Sequence, residues 1–269
     1  MTDLVDGKID DSAPKLRVVI SAAGGGKRWG NHFGRPKHLI QIPPGGETLL
    51  RRTVRIVREL GADDVIINAP ASDPEGVTYE TEGARLYRKS GLKPKDRDNH
   101  YQHADRFLPR SLWNTHGRTL ILPGDFYFCR NTLKEIIEYN PETWVLYARI
   151  KPTKWPVGYS DPITRSRMVL GLGFPSNEHE LIMNGIEELT ALQRNPKSPV
   201  KRSVGLDIYR FLCGQTPEQL GLTMTREGAI WENVPPHLWQ PPVSSPDMDF
   251  DKPKNYGEFM LHYQPELHD

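Results

Sequence analysis

A loop of glycine and basic residues follows the first apolar run of the chain. The loop consists of Ala22, Ala23, Gly24, Gly25, Gly26, Lys27 and Arg28, and Lys37 follows in a Pro-Lys-His-Leu sequence. Glycine allows the backbone to approach an anion closely, so the N–H groups of residues 24–26 can converge on phosphate oxygens. Lys27, Arg28 and Lys37 add positive charge nearby. The sequence therefore predicts a phosphate-binding loop.

Two common nucleotide-binding motifs do not fit this loop. The dinucleotide fingerprint requires a sixth-position glycine where Trp29 stands, and the predicted strand at 65–68 ends without a ribose-binding acid. The P-loop requires Ser or Thr where Arg28 stands, and Ser21 occupies the position of its first glycine. A nicotinamide enzyme and a P-loop ATPase are both disfavoured.

Acidic residues occur at two further places where a cation is expected. Asp125 follows Gly124 and an apolar run at 119–123, which predicts a carboxylate at the same sheet edge as the glycine loop. Near the C-terminal end, the acids alternate in sequence: Asp247, Asp249 and Asp251. Alternate residues of an extended segment lie on one face, so these three carboxylates invite a cation.

The pattern A-A-G-x-G-x-R at residues 22–28, with P-K-x-L at 36–39, resembles the sugar-phosphate and MobA-like nucleotidyltransferase family. The resemblance implies that the loop wraps a nucleoside triphosphate. Arg28 would hold the leaving β and γ phosphates, and Lys37 would contact the α-phosphate. The Gly-Asp sequence implies that Asp125 binds the catalytic magnesium ion (Mg2+), with manganese (Mn2+) as a substitute.

The same resemblance extends these roles to further residues. Asp249 and Asp251 compete as the second metal ligand, because residues 251–256 look like a departed version of the family's D-T-P-E-D sequence. Ser111 is expected near the nucleotide base. The implied nucleotide-binding set is Ala22, Ala23, Gly24, Gly25, Gly26, Lys27, Arg28, Lys37 and Ser111, and the implied catalytic set is Arg28, Lys37 and Asp125.

Apolar periodicity predicts alternating strands and helices. Strands are expected at 16–20, 63–68, 119–123 and 144–150, and helices at 47–60, 104–115, 133–139 and 178–193. This order predicts an α/β, three-layer Rossmann-like fold with a mixed, mostly parallel sheet and helices on both faces. We expect a flexible tail at 1–14, and a single domain at 15–269 with a variable acceptor-binding region at 151–242.

Composition limits the partners of the protein. The 269 residues carry a formal net charge of +1, so no nucleic-acid partner is expected, and no apolar run approaches the length of a membrane span. Cys129 and Cys213 lack metal-ligand spacing, which favours the reducing cytoplasm. The sequence makes no prediction about oligomeric state.

The predicted reaction is transfer of a nucleoside monophosphate group from a nucleoside triphosphate to a phosphorylated sugar or alcohol, with release of pyrophosphate. One alternative is a glycosyltransferase of the GT-A type that uses a nucleotide-sugar, for which Asp249-Phe250-Asp251 supplies a D-x-D pattern. A second alternative is a catalytically inactive nucleotide-binding module. Pyrophosphate formation would separate the predicted reaction from both.

Overall fold

The computed structural model describes six main ranges of the chain: 15–22, 35–42, 46–69, 81–88, 110–149 and 168–200. It also describes shorter pieces at 208, 211–214, 216–217, 238–239 and 248–249. The expected tail at 1–14 lies outside the described residues, as do residues 151–167 of the expected acceptor-binding region. The domain boundaries therefore stay predictions.

The described residues contain eleven strands, and seven of them form one mixed sheet. The strands in chain order are β1 (Leu16–Ser21), β2 (Gln41–Ile42), β3 (Glu47–Thr48), β4 (Asp64–Ala69), β5 (Arg85–Arg88), β6 (Arg118–Pro123), β7 (Phe126–Tyr127), β8 (Val145–Arg149), β9 (Met168–Pro175), β10 (Leu238–Trp239) and β11 (Met248–Asp249). The order across the sheet is β10-β8-β9-β6-β1-β4-β5. Only β9 runs antiparallel to its neighbours in this sheet, and the remaining pairs are parallel. Two short antiparallel ladders, β2 with β3 and β7 with β11, are separate from this sheet.

Helices cover both faces of the sheet. They are α1 (Leu49–Glu59), α2 (Arg130–Glu138) and α3 (His179–Arg194), and single 3-10 turns occur at Lys37–Leu39, Arg110–Leu112 and Ser176–Glu178. No helix in the described ranges is long and apolar enough to cross a membrane.

Two separate apolar clusters show where these layers meet. Val18 and Ile20 of β1 pack in the cluster to which α1 and α2 contribute, whereas Val19 packs in the cluster to which α3 contributes. Alternate residues of a strand point to opposite faces, so the sheet lies between two helical layers. The predicted three-layer architecture is confirmed.

Some predicted helix boundaries were wrong. The helix expected from residue 47 begins at Leu49, because Glu47–Thr48 pairs with β2 and the Thr48 hydroxyl caps the helix by accepting from the Arg51 N–H at 3.2 Å. In the described part of the helix expected at 104–115, the structure has only the 3-10 turn Arg110–Leu112. The Asn114 N–H donates to the Thr119 hydroxyl at 2.8 Å, which draws the chain towards β6 instead.

Candidate active site

The carboxyl ends of β1 and β6 lie side by side. Ser21 is in register with Pro123, and the Gly124 N–H donates to the Ser21 carbonyl at 2.9 Å. Ala22 continues along the neighbouring β4, where its N–H donates to the Asn68 carbonyl at 2.9 Å. The segment that leads into the glycine loop therefore leaves the sheet next to the Gly124-Asp125 turn, as the sequence predicts.

The 3-10 turn Lys37–Leu39 brings a lysine to the same edge. Pro36 begins the turn with φ of −57°, and its carbonyl accepts from the Leu39 N–H at 2.9 Å. The Ile40 carbonyl then accepts from the N–H of Leu49, the first residue of α1, at 2.9 Å. These contacts fix the turn to the start of α1, and Lys37 is buried there.

Lys37 and Asp125 form an ion pair between Nζ and Oδ2. The lysine side chain is 9% exposed and the aspartate side chain 23%. Burial pushes the pKa of the Asp125 carboxyl upward, but the charge and hydrogen bond of the Lys37 ammonium, with a hydrogen bond from the backbone of Asp125, outweigh burial and hold that pKa below its usual value. Asp125 is therefore ionised at neutral pH and contacts the Lys37 ammonium, with little of either side chain exposed to solvent.

Gly124 allows these elements to meet. A Cβ atom added there would lie 2.9 Å from the Ser21 carbonyl oxygen and 3.3 Å from Cδ2 of His38. The first distance is shorter than a carbon and an oxygen tolerate without a backbone shift. A residue with a side chain at this position would push the Asp125 turn away from β1 and from the lysine turn.

His38 was missed by the sequence analysis, although it directly follows Lys37. Its side chain is buried against the Gly124 turn. Burial lowers the pKa of the imidazole to about 4, with Lys37 adding to the effect and Asp125 opposing it. His38 is therefore neutral at pH 7, so it fills space next to the Lys37–Asp125 ion pair without adding a charge.

This buried imidazole predicts an acid-sensitive fold. Unfolded His38 takes up a proton near pH 6.5, whereas folded His38 does so only near pH 4. The unfolded state thus binds more protons in this window, and the free energy of unfolding should fall by up to about 3 kcal/mol as the pH drops from 6.5 to 4. Urea unfolding at a series of pH values measures this fall in the free energy of unfolding.

Two variants isolate the contribution of His38. His38→Asn should flatten the pH dependence, whereas His116→Asn, which changes an exposed histidine, should leave it unchanged. The pKa of His179 is also lowered in the folded protein, but this residue is present in wild type and in His38→Asn alike, so its contribution cancels when the two are compared. If the free energy of unfolding fell equally steeply with falling pH in wild type and in His38→Asn, the lowered pKa assigned to His38 would be refuted.

Asp249, the described member of the C-terminal acidic residues, lies beside Asp125 along the backbone. In the β7–β11 ladder, Asp249 is in register with Phe126, the residue that directly follows Asp125. The backbones of these two acids are therefore neighbours. Asp251 lies outside the described residues, so the choice between Asp249 and Asp251 as a second ligand stays a prediction.

Ser111 lies on a different part of the fold. Its hydroxyl lies 3.4 Å from the Tyr87 hydroxyl on β5, and the adjacent Leu112 packs in the α3-side cluster. Leu39 of the lysine turn packs against the opposite cluster. The described contacts do not bring Ser111 to the Lys37–Asp125 pair, and its role near the base stays a prediction.

Of the predicted loop residues 22–28, the structure describes only Ala22. Ala22 is buried at the end of β1. The remaining predicted nucleotide-binding residues lie outside the described part of the chain: Ala23, Gly24, Gly25, Gly26, Lys27 and Arg28. Their predicted roles are untested.

Arg52 is a second residue that the sequence analysis misplaced. The apolar spacing of this helix predicts that Arg52, together with Arg51, Arg55 and Arg58, lies on a solvent-exposed basic face. That prediction was wrong for Arg52, which is only 4% exposed and donates from Nη1 to the Phe128 carbonyl at 2.5 Å. Arg51, Arg55 and Arg58 are exposed as predicted.

Asp125 offers an oxygen ligand of the kind that a magnesium ion prefers. Magnesium prefers oxygen ligands and is commonly held by one or two carboxylates together with waters and substrate phosphates. Asp125 is ionised, and the Asp249 backbone is adjacent. In the ranges that the structure describes, no group of three or more His, Cys, Asp or Glu residues is arranged to hold a metal ion. The Asp125 carboxylate therefore fits one position in the coordination sphere of a magnesium ion.

Comparison with known proteins identifies the family. The model of the MobA-like NTP transferase domain matches residues 18–167, which is more than half of the chain and includes both Lys37 and Asp125. The chain belongs to the MobA-like NTP transferase family. Membership confirms the predicted family and the predicted nucleotidyltransferase function.

Two solved structures share the fold of this family member. CTP:phosphocholine cytidylyltransferase from Streptococcus pneumoniae is 19% identical with a TM-score of 0.53, covering 92% of this chain and 99% of that chain. UTP-bound UGPase from Acinetobacter baumannii is 14% identical with a TM-score of 0.53, covering 94% and 95%. No curated protein sequence matches the chain significantly. The structural likeness confirms the Rossmann-like α/β fold.

Proposed function

We propose that this MobA-like NTP transferase moves a nucleoside monophosphate group from a nucleoside triphosphate to a phosphorylated sugar or alcohol. An oxygen of the acceptor attacks the α-phosphorus, the bond from the α-phosphorus to the bridging oxygen breaks, and pyrophosphate leaves. The observation that carries the proposal is the ion pair between buried Lys37 and half-buried Asp125 at the joint edge of β1 and β6. The names of the two structural neighbours, which include phosphocholine and UTP, are compatible with such substrates.

Lys37 has two tasks in this proposal. Without substrate, its ammonium neutralises Asp125 and keeps the buried carboxylate ionised. When the triphosphate binds, α-phosphate oxygens compete for the same ammonium, which then stabilises charge that builds on the transferring group. One preorganised charge of this kind is typically worth about 3–4 kcal/mol of transition-state stabilisation.

Asp125 would hold magnesium together with Asp249 or Asp251, and manganese is the expected substitute. When bound, the metal would supply positive charge that polarises the phosphate oxygens and offsets their repulsion of an anionic acceptor. The chain itself contributes position: Gly124 sets the distance of Asp125 from Lys37, and the β7–β11 ladder sets its distance from Asp249.

The remaining residues complete the proposed site. The N–H groups of residues 24–26 and the Arg28 guanidinium would stabilise the leaving pyrophosphate, and residues 22, 23 and 27 would also bind the nucleotide. Ser111 would lie near the base, and residues 151–242 would select the acceptor. The protein makes few bonds itself, so positioning and electrostatics account for the rate. A cytoplasmic location is part of the proposal.

Pyrophosphate release tests the proposed function. The purified protein is incubated with magnesium, each of ATP, CTP, GTP and UTP, and phosphorylated acceptors such as phosphocholine and sugar 1-phosphates. We expect acceptor-dependent pyrophosphate release with one preferred triphosphate. Hydrolysis of a nucleotide-sugar without pyrophosphate formation would instead support the glycosyltransferase alternative. Tight triphosphate binding with no product would support the inactive binding module.

A further inference from the structure

Arg52 extends inward from α1, unlike the other arginines of that helix. Its exposed fraction is 4%, whereas the Arg51 side chain beside it is 61% exposed. A buried guanidinium is costly unless hydrogen bonds and other favourable contacts replace its hydration. The groups that Arg52 contacts therefore indicate what its burial achieves.

The described contacts of the guanidinium lie at the end of β7. Nη1 donates to the Phe128 carbonyl at 2.5 Å, and the guanidinium carbon lies 4.5 Å from the centre of the Tyr127 ring. A hydrogen bond from a charged donor and a cation–π contact are both strengthened by burial. Arg52 thus joins α1 to the backbone and to a ring of the same short segment.

This segment adjoins Asp125 and Asp249, which are two of the candidate ligands of the proposed metal site. Asp125 directly precedes β7, and Asp249 lies opposite Phe126 in the β7–β11 ladder. The ladder contains only two residue pairs, Met248 with Tyr127 and Asp249 with Phe126. A ladder of this length has little stability of its own and depends on what packs against it.

We infer that Arg52 is a positioning residue that braces the β7–β11 ladder and thereby fixes the spacing of Asp125 and Asp249. The inference rests on the proposed function for the metal, but it concerns this chain's own residues. It assigns Arg52 no contact with substrate. Arg52 acts through Tyr127 and the Phe128 carbonyl, which lie in and directly after the strand that follows Asp125 and pairs with the strand of Asp249.

The expected effect is a loss of metal affinity that leaves triphosphate affinity nearly intact. Groups that orient metal ligands typically change metal affinity by about 10–100-fold when they are removed. Arg52→Met keeps most of the aliphatic stem but removes the charge and the donors. We expect its metal half-saturation concentration to rise about tenfold, while triphosphate half-saturation at saturating metal stays within about twofold of wild type.

Manganese binding measured by electron paramagnetic resonance reports the metal directly, without turnover. The titration is made on the full chain with a non-hydrolysable triphosphate analogue present. Arg51→Met is the matched control, because it removes an exposed arginine next to Arg52 in the same helix, and it should bind manganese like wild type. A folded Arg52→Met protein with wild-type manganese affinity would overturn the inference.

Two additions keep the outcome decisive. If Arg52→Met does not fold, Arg52→Lys is measured instead; it retains the charge but not the planar guanidinium, and its manganese affinity should fall between wild type and tenfold weaker. Unchanged affinity in Arg52→Lys would then overturn the inference. Manganese binding by wild type that Asp125→Asn abolishes, without pyrophosphate release on any acceptor, would defeat the proposed function but not the role of Arg52.

Discussion

Asp125→Asn is expected to lower the turnover number at least about a thousandfold, equivalent to about 4 kcal/mol of transition-state stabilisation. The amide retains the shape of the carboxylate but removes the negative charge that would hold magnesium. It also leaves the Lys37 ammonium without the carboxylate that it contacts in the structure. Acceptor-dependent pyrophosphate release at saturating magnesium measures the effect.

The control for this variant is an exposed carboxylate outside the site. Glu138→Gln at the end of α2 changes a side chain that is 64% exposed, and it should retain wild-type turnover. Thermal unfolding of both variants shows whether the fold persists. A folded Asp125→Asn protein with turnover close to wild type would exclude Asp125 from the reaction.

Lys37→Met is expected to lower the turnover number by a few hundredfold, about 3–4 kcal/mol, because the α-phosphate loses its preorganised cation. The substitution should also destabilise the fold by about 3 kcal/mol, since Asp125 then remains buried without its ion-pair partner. Pyrophosphate release measures the first effect and urea unfolding measures the second. Lys134→Met, which removes a lysine that is 55% exposed, is the control for both.

Combining the two substitutions separates stability from catalysis. The Lys37→Met, Asp125→Asn double variant contains neither charge, so its stability should recover relative to Lys37→Met while its activity stays lost. Additive losses of stability in the double variant would show that the two side chains do not interact in solution. High activity of Lys37→Met alone would remove the lysine from the proposed mechanism.

The main features of the fold and of the site are visible in the sequence because they depend on local patterns. The apolar runs of β1 and β6 end at Ser21 and at Pro123, and parallel strands deliver their ends to one edge. Lys37 and Asp125 were therefore each predicted at that edge from separate motifs. Their direct ion pair was not predicted, because it depends on the 3-10 turn and on the close approach that Gly124 permits.

The missed features depend on contacts between residues far apart in the chain. A periodic pattern assigns arginines to the solvent side of a helix, since a buried charge is rare without partners. The partners of Arg52 are a carbonyl and a ring that follow β6 in sequence, which no local pattern reveals. Similarly, Leu181 continues the apolar spacing of α3, which predicts a packed side chain, but the structure leaves it 46% exposed.

The fate of the triphosphate's phosphorus atoms tests the central claim most directly. The protein is incubated with magnesium, an acceptor and the preferred triphosphate, labelled in separate reactions at the α or the γ phosphorus. Nucleotidyl transfer at the Lys37–Asp125 site predicts that the α label enters a new diphosphate-linked product and that the γ label enters pyrophosphate. Appearance of the γ label in inorganic phosphate or on the acceptor, with the α label retained in a nucleoside diphosphate, would contradict it.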